Sequence, residues 1–201
     1  MTTGAVWGTK VPSNPRPGRP LFWSTAMSRF VIACPHFGHE NIIKYESRPF
    51  PDAITMDARM VQKWNLVVGK NDTVFVLGDA VFRNKAMAEA VIKSLKGFKH
   101  LVAGNHDVRS DTWYKDVGFH TIYRYPIIVN GFFVLSHEPV YLNDHMPYVN
   151  IHGHLHSRKM AGDNYINVCV ENTEYAPVLL DTIIDRYKTG EEKTCCTNGT
   201  L

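Results

Sequence analysis

The chain has 201 residues, 44% hydrophobic and 20% charged, with a formal net charge of +3. That balance suits one globular domain with a sizeable core. It is too weakly basic to argue for nucleic acid by itself, and no apolar run approaches the ~18 residues of a membrane span.

The elements follow in chain order. Residues 1–29 carry Pro12, Pro15, Pro17 and Pro20 with Lys10, Arg16, Arg19 and Arg29, and no acidic residue precedes Glu40. Four prolines argue against the amphipathic helix of a transit peptide. The stretch reads as a disordered, basic, Pro-rich leader, with an arm for an anionic partner as the alternative. From residue 30 the chain alternates strand-like and helix-like segments. "RFVIAC" is a short apolar run suited to a buried strand, and a helix start follows His39. "PDAITMDARMVQKWNLVVG" predicts a helix with a stripe of Ile54, Ala58, Met60, Val61 and Trp64. "DTVFVLGD" is a second strand, and "NKAMAEAVIKSLKG" a helix with Met87, Val91, Ile92 and Leu95 on one face. "KHLVAGNHD" is a third strand, leading into the short helix "SDTWYKDVG".

The pattern then turns β-rich. "TIYRYPIIVNGFFVLSHEP" predicts strands about an Asn130-Gly131 turn, a hairpin signal. "YVNIHGHLHS" and "YINVCVENTEYAPV" supply further strands, and "LLDTIIDRYK" a closing helix. The order βαβαβ followed by β-rich sequence predicts an α/β sandwich of mixed sheets covered by helices. Lys93, Lys96 and Lys99 read as a solvated face. Residues 189–201 read as a flexible tail. The four cysteines, Cys34, Cys169, Cys195 and Cys196, form no disulfide framework in a chain this long and fit a reducing, cytoplasmic setting.

Five segments share one property: each ends an apolar, strand-like run with side chains of metal-ligand type. They are Cys34-Pro-His36, Gly78-Asp79, Gly104-Asn105-His106-Asp107, Ser136-His137 and Gly153-His154-Leu-His156. The strand ends of a sheet open on one edge, so groups scattered in sequence can converge there. Taken singly, a "GD" or an "SH" is weak, and a cysteine two residues from a histidine is as easily core as ligand. "GHLH" is stronger, because histidines two apart in a strand face the same side.

Taken in this order, the five segments resemble the calcineurin-like metallophosphoesterase superfamily, whose pattern is D-x-H, G-D, G-N-H-D/E, a lone H and G-H-x-H. The resemblance spans roughly residues 30–188, within a compact branch common in bacteria and phages. It implies a four-layer α/β/β/α sandwich of two mixed β-sheets flanked by helices. It also implies two divalent transition-metal ions, Mn, Fe, Zn or Ni. Cys34, His36 and His156 would serve the first, and Asn105, His137 and His154 the second, with Asp79 bridging. A metal-bridging hydroxide would attack phosphorus in line, and His106 would assist the leaving oxygen. Asn105 and His106 would contact substrate. Two weaker candidates are His39, for a phosphate or an outer water, and Arg48, for a phosphate. For His39 a structural role is the alternative; for Arg48, as for Arg83, it is an ordinary surface arginine. His152 should point away from His154.

Two departures matter. Cys34 stands where the pattern has aspartate. A thiolate binds such metals with Zn–S near 2.3 Å, but sulfur reaches one bond less far than a carboxylate oxygen. Either it ligates and softens the first site, or that site keeps His36, Asp79 and His156. Secondly, "GDAVFR" places Phe82 where protein phosphatases of the superfamily carry an aspartate. The match therefore favours a phosphodiesterase or nucleotide hydrolase over a phosphomonoesterase. A small nuclease, or a metal-binding scaffold impaired by Cys34, is the alternative. The implied partner is a small phosphate ester or nucleotide, with nucleic acid less favoured and no membrane.

Overall fold

A computed structural model of the protein describes residues 27–189. The expectations for the leader up to residue 26, and for the tail with Cys195 and Cys196, lie outside the described residues.

Four parallel strands carry the first half of the fold: β1 (Arg29–Ala33), β2 (Thr73–Leu77), β3 (Phe98–Val102) and β4 (Thr121–Tyr123). Between them run α1 (Glu40–Tyr45), α2 (Ala53–Val67), α3 (Lys85–Ser94) and α4 (Asp111–Val117). Helix starts follow capping chemistry. Asp52, Asn84 and Ser110 each accept a hydrogen bond from the backbone N–H three residues on, satisfying a donor the helix itself leaves unpaired. The second half contributes β5 (Ile127–Val129), β6 (Phe133–Ser136), β7 (Val149–His152) and β8 (Tyr165–Asn167). A 3₁₀ turn (Val170–Asn172), β9 (Val178–Leu179) and α5 (Leu180–Thr189) close the chain.

These strands form two mixed sheets. The first has order β4-β3-β2-β1-β9, parallel except for antiparallel β9; the second has order β5-β6-β7-β8, with β5 antiparallel. The β5–β6 hairpin turns at Asn130 and Gly131, both at positive φ (53° and 68°), as a two-residue turn requires. One apolar layer lies between the first sheet and the helices, built on Phe30, Ile32, Met60, Trp64, Val74 and Leu101. The other lies between the sheets, with Val31, Leu77, Phe133, Leu135 and Ile151, and α5 adds Leu180, Ile183 and Ile184 to it. Alternate residues of β1 thus face different cores, as the period of two in a strand demands. Asn150 and His152 of the second sheet are fully buried, and Asn150 accepts from Val140 N of the 138–148 loop. His154 and His156 lie beyond the end of β7 at positive φ (64° and 50°), so the strand alternation expected to set their sides and that of His152 does not extend to them.

Three sequence expectations shift. The buried stripe of α2 is Ala53, Met56, Met60 and Trp64, while Ile54 and Ala58 face solvent. The stripe turns because Asp57 is drawn inward, accepting from Gly38 N and pairing with Arg83. On α3, Met87 is exposed and Ala88 takes the inward place beside Ile92. Lys99 is buried rather than solvated, its ammonium donating to the Leu95 and Gly97 carbonyls.

Registers decide where the chemistry falls. Ala33 pairs with Leu77 and Leu77 with Val102, so β1, β2 and β3 end level. Ser136 pairs with His152, so β6 and β7 end level too. The residues just beyond these ends are the five predicted segments.

Candidate metal centre

Backbone conformation at the strand ends is unusual. Nine non-glycine residues have positive φ among the described residues, and five of them are Cys34, His36, Asp79, His154 and His156. Each such conformation costs on the order of 1–3 kcal/mol and persists only where surrounding structure enforces it. The strain sits on the candidate donors. Two glycines make the close approach possible. A Cβ on Gly78 would lie 2.2 Å from His137 Nδ1, and one on Gly104 would lie 2.5 Å from Asp79 Oδ1. The glycines of "GD" and "GNH" are therefore space for the His137 ring and the Asp79 carboxylate.

Asp79 is central. Its Oδ2 lies 3.5 Å from His36 Nε2 and 3.6 Å from His137 Nε2, while Oδ1 accepts from His106 N at 3.1 Å. On one side, His137 Nε2 is 2.9 Å from Asn105 Oδ1 and 3.1 Å from His154 Nδ1. On the other, His36 and His156 rings stand 5.2 Å apart. His36 Nε2 is buried with no hydrogen-bond partner, a cost a protein seldom bears without a ligand for the lone pair. Burial first, then the Arg48 guanidinium, holds His36 well below the usual imidazole range, so its ring is neutral.

The ring nitrogens facing away from Asp79 are anchored. His137 Nδ1 lies 3.0 Å from the Leu77 carbonyl, and His156 Nδ1 lies 3.0 Å from Glu171 Oε1. Such outer partners fix the tautomer and orient a metal-binding histidine. Arg48 holds Glu171 in turn, and also donates to the Cys34 and Pro35 carbonyls. Burial alone would raise the Glu171 carboxyl, but His156 and Arg48 outweigh it and keep it below the carboxylate range. Asp107 supports the other loop, accepting from the backbone N–H of Asp79, Ala80 and Gly104.

Three residue groups bring donor atoms within 4.8 Å of one another: Cys34, His36 and His156; Cys34, Asp79 and His137; and His156, Cys169 and Glu171. The donor set therefore fits a metal ion. Cys34 lies at the base of the first two groups, fully buried in the inter-sheet layer. Its sulfur accepts from His154 N at 3.1 Å and stands 4.0 Å from His137 Nδ1. Burial and the neighbouring Cys169 push the thiol well above its ordinary value.

Every strong candidate from the sequence is thus in one cluster. The weaker ones divide. His39 stacks on Phe82 at 4.3 Å between ring centres and places Nδ1 3.3 Å from His36 Nδ1. Arg48 is neither a surface side chain nor free to meet a phosphate: it is 4% exposed, with its donors spent on Glu171 and two carbonyls. Glu171, Asp107 and Cys169 received no role from the sequence. Glu171 and Asp107 each lay inside a quoted segment, "VENTEY" and "GNHD", but nothing local showed which loop they would brace.

No family model matches the chain. It is 32% identical over 172 residues to the uncharacterized protein MJ1445 of Methanocaldococcus jannaschii, covering 81% of this chain and 92% of that one. The chain belongs to the MJ1445 family. It is also 35% identical over 75 residues to the gene 66 protein of Mycobacterium phage L5, across 36% of each chain. Among solved structures it resembles the protein of unknown function AQ665 from Aquifex aeolicus, with a TM-score of 0.64 and 26% identity. That match covers 81% of this chain and all of the other. A distant likeness to the Pseudomonas putida nuclease MPE has a TM-score of 0.44 and 19% identity, over 64% of this chain and 60% of that one. Among the described residues no helix is long and apolar enough to cross a membrane.

Proposed function

We propose that the protein is a dinuclear-metal phosphoric ester hydrolase of the calcineurin-like type, acting on a small phosphodiester or nucleotide. One observation carries this reading: a single oxygen of Asp79 stands 3.5 Å from His36 Nε2 and 3.6 Å from His137 Nε2, between two donor groups. His36 and His156, with Cys34 beneath them, would hold one ion; Asn105, His137 and His154 would hold the other; Asp79 would serve both. Divalent cations so placed neutralise phosphoryl oxygens and acidify a bound water.

The remaining work belongs to side chains. Asn105 and His106 are exposed at the mouth, where they can meet a phosphoryl group. His106 donates its backbone N–H to Asp79, which leaves its ring free to hydrogen-bond or protonate a leaving oxygen. His39 braces His36 rather than substrate. A nuclease that tracks a polyanion needs free cations beside the centre. Here Arg48, Arg83 and Arg124 are each paired with a carboxylate. The exposed Arg109, Arg158 and Lys159, close in sequence to His106 and His156, form no ion pair among the described residues, so the nuclease stays the alternative that the assay must separate.

The test is metal-stripped protein reloaded with Mn, Zn, Fe or Ni and assayed on bis-p-nitrophenyl and p-nitrophenyl phosphate. Metal-dependent turnover that prefers the diester is expected. Cleavage of DNA or RNA with steep salt dependence would favour the nuclease. Binding of two ions without turnover would favour the impaired scaffold. For Cys34, the cobalt-loaded protein should show a sulfur-to-metal charge-transfer band that Cys34→Ser removes; a band that survives the change rules the ligand out.

A further inference from the structure

The two sides of Asp79 differ in access. His36 and His156 on one side are 2% and 9% exposed and His137 on the other is 4% exposed, so the difference lies in Asn105, which is at the surface. Phe82 stacks against both His36 and His39, at 4.8 and 4.3 Å between ring centres, and stands 5.2 Å from the His106 ring. On the other side Asn105 and His137 open directly onto a cavity of about 370 Å³, within the range of small-ligand pockets. The cavity spans the carboxyl ends of both sheets. Tyr125 and Pro126 line it after β4, and Glu138 and Pro139 line it after β6.

Its chemistry is selective. The one arginine of the lining, Arg124, is spent: it donates to Asp111 and to the carbonyls of Asp107 and Arg109. Beyond the metal centre itself no lysine and no unpaired arginine lines the cavity, and Glu138 adds a carboxylate, so a second phosphate is disfavoured there. What remains is an apolar wall of prolines, an acceptor, and the Tyr125 ring, 80% exposed. The same Arg124 bonds tie the backbone next to Tyr125 to the loop carrying Asn105 and His106.

We propose that this cavity is the subsite for the ester arm that stays on phosphorus, and that this arm is an uncharged planar ring of nucleoside type. It stacks on Tyr125 and can donate an amino or hydroxyl hydrogen to Glu138. The inference rests on the phosphodiester reading above. The leaving arm then lies on the other side, towards His106 and Phe82.

The test compares two diesters with one leaving group, thymidine 5′-(p-nitrophenyl) phosphate and methyl p-nitrophenyl phosphate, on the metal-loaded full chain. Base stacking on an aromatic side chain is worth roughly 5- to 100-fold by alanine substitution. Tyr125→Ala should raise KM for the thymidine ester by that factor and leave the methyl ester within about twofold. Tyr125→Phe should restore the wild-type value, and Tyr141→Ala, an exposed tyrosine outside the cavity, should change neither. Equal loss on both esters, or loss on neither, overturns the subsite. If no metal supports turnover, the hydrolase reading fails by itself. Equilibrium binding of thymidine 5′-monophosphate to metal-loaded protein then decides the subsite: weakening by Tyr125→Ala supports it, and unchanged or absent binding overturns it.

Discussion

The two halves flanking Asp79 are built on opposite principles. The His36–His156 half is closed: its rings are buried, roofed by Phe82 and His39, and braced by the Arg48–Glu171 ion pair, whose side chains are 0% and 6% exposed. The Asn105–His137–His154 half buries His137 as deeply but opens at Asn105, which lies at the surface with a cavity beside it. Charged braces held under low dielectric fix donor geometry but are costly to break. Exposed donors exchange partners readily. The closed half is suited to retaining an ion, and the open half to meeting a substrate. The comparison predicts biphasic metal loss to a chelator, slow from the closed half and fast from the open one.

The largest effect should come from the one residue both halves share. Asp79→Asn is expected to weaken both phases and to lower turnover by roughly a thousandfold or more, since several kcal/mol of charge stabilisation are at stake. Loss from one phase only would break the idea of a shared carboxylate. Next is the brace. Arg48→Met would strand Glu171 as a buried carboxylate and should cost about 3–5 kcal/mol in a urea unfolding curve. A loss below 1 kcal/mol would mean that His156 alone satisfies Glu171. Third, Glu171→Gln keeps a shape that can still reach His156 but removes the charge. Loss of such an outer partner typically costs about 10–100-fold in metal affinity. The slow phase should weaken by that factor and the fast phase should hold.

Much of the open half was legible in the sequence, and the closed half only in part. Asn105, His137 and His154 follow apolar strands directly, so shared strand ends allowed them to converge, and the resemblance of the ordered motifs grouped them as one set. His36, Asp79 and His156 were readable for the same reason. The Arg48–Glu171 pair was not, because its members are 123 residues apart and no pattern near either one names the other. An arginine in a loop looks like surface until its burial is seen. The α2 stripe failed in a related way: Asp57 faces inward because Arg83 and the Gly38 amide meet it there, and polar residues are ordinarily assigned outward. Cys34 stands between these cases. Its position after β1 was clear, but its place at the base of both halves, with sulfur against the His154 amide, depends on the second sheet crossing over it.

The smallest expected effect tests the roof itself. Phe82 contacts His36, His39 and His106 with its ring and stands where a phosphatase-type pattern would have an acid. Each aromatic contact of this kind is worth about 0.5–1.5 kcal/mol beyond area burial. Phe82→Leu keeps an apolar side chain but loses the flat face that covers His36. Stability should fall by about 1 kcal/mol, and the slow phase of metal loss should quicken severalfold while the fast phase stays unchanged. Equal acceleration of both phases would mean that the two halves open together and that the asymmetry around Asp79 is not a difference in retention. An unchanged slow phase would place its cause in the Arg48–Glu171 brace alone, because that pair is the other structure closing the His36 side.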